Sequence, residues 1–327
     1  MISSLLRAPV LVIGAALAIA PAVLAADSDS PAVKEHIDKA VKIAGKEWAA
    51  QEKFFCEMPV ANLATDPLLT PMKIFDNVYI LGSISTTIYA FNTSEGLVLI
   101  DAGYPNQADT VLLPQLKKLG LDESKIKYVF LGHGHVDHYG ASKYLQDKYG
   151  THIVLSDADW DLVDPPASSG KKARDDAPKR DIVIKDGQTM TIGDFHIAAL
   201  LLPGHTPGTL GYIFPVKDGK KTYTAGMFGG NVLLPRIAYS LDEYVKSLEK
   251  WEAAAKKYKI DVQLQNHPHM LGITEKLDKL QSRKPGEVNP FVVPTATYAR
   301  YFQVIEECTL AQKQRIMENP TPPKKEK

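Results

Sequence analysis

"GHGHVDHYG", residues 132–140, sets three histidines and one aspartate within six consecutive positions, and its reading decides the fold. The run before it, "KIKYVFL" (125–131), is aromatic and β-branched and reads as a buried strand. The chain therefore enters the motif extended, where residues two apart point to one side. His133, His135 and Asp137 are expected to converge, while His138 comes from the following turn and points elsewhere. Two imidazoles and a carboxylate suit zinc, which takes nitrogen and oxygen donors. Gly132 and Gly134 remove bulk that would crowd an ion.

A solvated polar turn would account for these residues if they stood alone. Four donors in one loop are too many for a single zinc that keeps an open position, and too few for two. A dinuclear site needs two more. His205 sits in "LLPGHTPGTLGY" (201–212) and His267 in "QLQNHPH" (263–269), each where an apolar strand gives out. Three strand-end loops can meet at one sheet edge. His36, His152 and His196 have no such setting and read as ordinary histidines.

The flanking pattern supplies the sheets. "VYILGS", "TTIYAFNT" and "GLVLIDAG" read as a three-strand meander between Val78 and Gly103. Helical stretches follow at 107–120 and 141–150, with a strand, "THIVLS", after the second. Strands resume from Asp181, with a hairpin at Asp218 and Gly219. A helix capped by Ser240 carries Tyr244, Leu248 and Trp251 on one face. Residues 165–180 are polar and read as a surface loop. One helix is expected from Ser30 to about Phe55, with Pro31 in its first turn. Strands then a helix, twice over, suit the α/β class and a four-layer αββα sandwich.

Composition narrows the classes. Lys plus Arg number 38 and Asp plus Glu 38, so no net charge draws the chain to nucleic acid or an anionic membrane. A small-molecule substrate is the expected partner. Arg7, the apolar run Ala8–Leu24 and the small exit residues Ala22, Ala25 and Ala26 read as a signal peptide over residues 1–25, in preference to a membrane anchor. That predicts a periplasmic or secreted protein, with an N-terminal helix and connector over 26–75 and a main domain over 76–327. In an oxidising compartment Cys56 and Cys308 are expected to form a disulfide joining the two ends.

"HGHVDH", "GHTPG" and "NHPH", preceded by "LVLIDAG", resemble the metallo-β-lactamase superfamily of hydrolases, from Val78 to the helix after His269. The resemblance implies the αββα fold and a site for two Zn2+ ions. His133, His135 and His205 would bind the first; Asp137, His138 and His267 the second. Asp101 would orient a ligand. Glyoxalase II and the lactonases usually place a bridging aspartate after the "GHTPG" turn, where this chain reads "YTAGMFGGN" (223–231). Keeping His267 without that bridge is similar to the third subclass of metallo-β-lactamases. That subclass tends to carry substrate-gripping serines where this chain has Met227, Phe228, Gly229 and Gly230. Asn231, Lys171 and Lys172 are the other polar candidates for substrate contact.

The implied reaction is opening of a β-lactam ring by a zinc-bound hydroxide, with Asp137 orienting the nucleophile or relaying its proton. Hydrolysis of a lactone or other ester is the alternative on the same metals. An iron-dependent sulfur oxygenase and a non-catalytic binding protein are the readings furthest from it.

Overall fold

Successive strands turn alternate residues to opposite faces, and in this chain both faces are apolar. The result is two sheets, each covered twice. The structure, a computed structural model, describes residues 29–57, 66–232 and 240–319, without the side chains of His269 and Met270. The expected signal peptide lies outside the described residues, as does the His269 side chain.

The chain begins with helices α1 (Pro31–Ala44) and α2 (Ala49–Glu57). The first sheet then runs in sequence order: β1 (Met72–Phe75), β2 (Val78–Gly82), β3 (Thr87–Thr93), β4 (Gly96–Ile100), β5 (Ile126–Phe130), β6 (His152–Leu155) and β7 (Ile182–Val183). Pairing is antiparallel from β1 to β4 and parallel from β4 to β7. Helices α3 (Leu113–Lys118), α4 (Val136–Tyr139), α5 (Ser142–Tyr149) and α6 (Asp157–Val163) interrupt the parallel half. The second sheet takes β8 (Thr189–Ile192), β9 (Phe195–Leu201), β10 (Leu210–Asp218), β11 (Lys221–Phe228) and β12 (Val262–Leu264), in the order β12-β11-β10-β9-β8. Helix α7 (Leu241–Tyr258) links β11 to β12, and α8 (Ile273–Gln281) and α9 (Thr295–Glu318) finish the chain.

Along β5 and β10 the alternation is plain. Phe130, Tyr212 and Phe214 point between the sheets, where Phe91 lies against Phe195 at 4.6 Å and meets Phe214 edge-on at 4.9 Å. Val129 and Leu131 face the other way, toward Leu116, Leu145 and Trp160 of α3, α5 and α6. Ile213 and Phe228 cover the far side of the second sheet against Trp251 of α7 and Phe302 of α9. These are the four layers of an αββα sandwich.

Three local expectations are corrected. The single N-terminal helix breaks at Gly45, whose φ of 57° ends α1, and helix resumes at Ala49. Helix α6 was not expected; Ser156 caps it by accepting the N–H of Asp159 at 3.3 Å. The 76 boundary also cuts off β1, which pairs with β2 inside the first sheet. Cys56 and Cys308 are bridged, with an S–S distance of 2.01 Å, so α2 is tied to α9. Among the described residues no helix is long and apolar enough to cross a membrane.

Candidate metal centre

The strand directions place β2, β4 and β5 of one sheet and β9, β11 and β12 of the other with their C-terminal ends at one end of the sandwich. All the candidate donors leave from these ends. After β5, Gly132 accepts the N–H of Leu210 at 2.8 Å, which joins the two sheets beside the site. A side chain at Gly132 would come within 3.0 Å of Asn266 Nδ2 and 3.2 Å of Gly229. His133 follows in a bend over residues 132–134, and His135 is extended, with φ −80° and ψ 151°.

The chain does not stay extended through Asp137. His135 is the N-cap of α4, so Asp137 and His138 stand on a helical turn. Asp137 therefore reaches the site by helical rotation, and His138 turns inward with it rather than elsewhere. Asp137 Oδ2 lies 3.4 Å from His138 Nε2.

Five rings converge in two clusters that share His133. In the first, His133 Nε2, His135 Nδ1 and His205 Nε2 lie 3.1 Å from one another. In the second, His138 Nε2 and His267 Nε2 are 3.1 Å apart, with His133 beside them. His36, His152 and His196 are elsewhere, paired with Glu307, Asp181 and Thr191.

An outer partner orients three of the five rings. His133 Nδ1 donates to the Gly229 carbonyl at 2.6 Å, His138 Nδ1 to Asp101 Oδ2 at 2.7 Å, and His267 Nδ1 to the Ser85 carbonyl at 2.6 Å. A carbonyl or a carboxylate only accepts here, so each of these three rings carries a proton on Nδ1 and turns Nε2 inward. Burial, then the neighbouring imidazoles, hold His133 and His205 well below the usual histidine range. Burial and His138 lower His135 as well. Burial disfavours a charged His138, yet Asp137 and Asp101 outweigh it and raise the ring to about 10. Burial also opposes ionisation of Asp137, but His138 and His267 hold the carboxyl well below its usual range. Deprotonated nitrogens on His133, His135 and His205, an anionic Asp137 and a His138 proton that a bound cation would displace are the donor set that a borderline-soft divalent cation such as zinc takes.

Asp101 also accepts the N–H of Gly132 at 2.7 Å and the amide of Asn266 at 3.1 Å. Two residues passed over in the sequence matter as much. Asn266 Nδ2 donates to Gly229 O at 2.7 Å. Asp159 accepts from Gly134 N, Gly208 N and Thr206 Oγ1, each at 2.7 Å, and so ties the "GHTPG" loop to "HGHVDH". The Ser156-to-Asp159 capping pattern was the available signal for Asp159.

Met227 and Phe228 are fully buried in the two cores. Gly229 and Gly230 pack against Gly132 and His205. Asn231 is buried against Tyr301 and Tyr244, while Lys172 is exposed and pairs with Asp175, and Lys171 is exposed.

An αββα sandwich with two histidine clusters at the ends of both sheets defines a metal-site class of protein. The fold is that of the metallo-beta-lactamases, and the family model of the metallo-beta-lactamase superfamily matches residues 81–225 of the chain. Among solved structures it is similar to BJP-1, a subclass B3 metallo-beta-lactamase of Bradyrhizobium japonicum, at 27% identity and a TM-score of 0.65, covering 80% of this chain and 98% of that one. The FEZ-1 metallo-beta-lactamase from Legionella gormanii shares the fold at 23% identity and a TM-score of 0.65, covering 79% of this chain and 99% of that one. Among curated proteins, a hydroxyacylglutathione hydrolase of Brucella anthropi is 31% identical over 100 residues, 30% of this chain and 32% of the relative. The match thus spans about a third of that relative's length.

Proposed function

We propose that the chain is an exported zinc-dependent hydrolase that opens the amide of a β-lactam ring. One observation carries this: two donor clusters meet at His133, and the end of β11 contributes a glycine carbonyl rather than a bridging carboxylate. His133, His135 and His205 would hold one zinc, and Asp137, His138 and His267 the other. Bound zinc supplies Lewis acidity and brings a water near neutral pKa.

The chain's own residues do the remaining work. Asp101, Gly229 and Ser85 hold three rings with Nε2 facing the site. Asp137, kept anionic beside His138, would orient the attacking water or take its proton and return it to the departing nitrogen. The likeness to a subclass B3 enzyme supports the amide substrate, and the apolar run Ala8–Leu24 supports export to where β-lactams are met.

A second reading, hydrolysis of an ester or thioester, is favoured by one observation. Residues 227–230 offer no polar side chain to grip a substrate carboxylate, and the curated relatives include hydroxyacylglutathione hydrolases. Zinc-loaded protein assayed with nitrocefin beside lactone and thioester panels separates the two. Turnover of nitrocefin abolished by chelation is expected; silence toward every β-lactam with turnover of an ester would replace the first reading with the second.

A further inference from the structure

We propose that Asp66 is a positioning residue for the second metal, acting through Ser85 on His267; the proposal rests on the zinc reading above. His267 follows β12, a short edge strand, and its ring is oriented by donation from Nδ1 to the Ser85 carbonyl at 2.6 Å. The direction in which that carbonyl points decides where the Nε2 lone pair points. Ser85 stands in the tight turn between β2 and β3, where Ser83 N–H donates to Thr86 O at 2.9 Å.

Asp66 takes both donors of Ser85. The backbone N–H reaches Oδ1 at 2.9 Å, and the hydroxyl reaches Oδ2 at 2.6 Å. With its proton given to the carboxylate, Ser85 Oγ is left to accept, and the Tyr104 hydroxyl lies 3.1 Å away to donate. Hydrogen bonds to a carboxylate are roughly twice as strong as neutral ones. Ser85 is buried, which strengthens them further. The three oriented rings are thus anchored differently. His138 leans directly on a carboxylate and His133 on a glycine packed between sheets, whereas His267 leans on a turn that a carboxylate from the N-terminal connector holds.

A rival account gives the turn enough support from its backbone. Ile84 N–H donates to Pro67 O at 2.9 Å, and Leu69 N–H to Gly82 O at 3.0 Å. Metal retention tells the two apart. Full-length parent, Asp66→Ala, Asp66→Asn and Ser85→Ala are loaded with zinc and titrated with a competing chelator, counting ions; cobalt(II) absorption is read in parallel. The control is Asp194→Ala, which removes a comparable carboxylate acceptor, 2.9 Å from Ser94 N, in another turn.

Asp66→Ala should bind the second ion about tenfold more weakly while keeping the first, in line with losses at outer partners of metal ligands. Asp66→Asn, which retains one acceptor, and Ser85→Ala should lose less, and Asp194→Ala nothing. Asp66→Asn carries the test if the alanine variant does not fold. Parent-like retention of both ions in Asp66→Ala or Asp66→Asn, whichever carries the test, overturns the proposal alone. A parent that holds fewer than two ions overturns the zinc reading and the proposal with it.

Discussion

Asp101 Oδ2 lies 2.7 Å from His138 Nδ1, and Asp101 reaches it with its backbone at φ 61°. Left-handed backbone is rare outside glycine and costs on the order of 1 kcal/mol, so the surrounding contacts must outweigh it. They do so with three donors: Gly132 N–H, Asn266 Nδ2 and the His138 ring. Asp101→Asn keeps the shape and tolerates the backbone, but it turns one acceptor oxygen into a donor facing donors. Metal affinity should fall roughly 10–100-fold, measured by chelator competition. Unchanged affinity would mean that His138 needs no anchor.

The close packing of Gly229 predicts that a side chain cannot be grafted there. A Cβ would stand 2.3 Å from Leu210 O and 2.8 Å from Gly132 Cα, both backbone atoms. Gly229→Ser should therefore destabilise the fold by about 2–3 kcal/mol and displace the carbonyl that holds His133, instead of supplying a new substrate contact. Denaturant unfolding together with zinc counting checks this. A stable variant with both ions would show that the two sheets can part locally.

Much of this site was legible before any coordinates. The histidines at 133, 135, 138, 205 and 267, which the structure brings together, stood out because they sit beside strand ends. What stayed hidden was hidden for a physical reason. Whether Asp137 stood on strand or helix depended on where α4 began, and "HVDHY" has no capping side chain to mark it. Asp159 and Asn266 act through backbone N–H groups and carbonyls distant in sequence, a partnership that only the packed sheets create. The sandwich itself was readable from alternation along β5 and β10, but α6 lay inside a short polar stretch, "SDADW", too brief to show a helical period.

Glu306 gives the protein a pH-dependent stability unrelated to the metal centre. Burial, reinforced by Glu249, Glu252 and Glu307, raises its carboxyl to about 7. Nearby, Lys256 pairs with Glu252 and His36 with Glu307. The folded state binds this proton more tightly than the unfolded one. Its contribution is therefore most favourable below the ordinary carboxylate pKa of about 4.5 and declines as pH rises toward about 7. Glu306→Gln should match the parent near the acid end of that window and melt higher than the parent above it. Parallel melting curves at both ends would show that the carboxylate is solvated.

The Cys56–Cys308 bridge closes a loop of 252 residues, so its effect falls mainly on the unfolded chain. The N-terminal helices do not depend on it for docking. Arg315 donates to Asp29 and to the Cys56 carbonyl, Gln312 donates to the same carbonyl at 3.0 Å, and Trp48 meets Tyr301 edge-on at 5.2 Å. Both sulfurs are buried, so reductant should reach them only on unfolding. Replacing both cysteines by serine should then lower unfolding free energy by about 2–5 kcal/mol while leaving near-UV dichroism and zinc content at parental values. Loss of zinc in the double variant would instead mean that the bridge holds the native site together, and a protein as stable as the parent would mean that the unfolded chain already keeps its ends close.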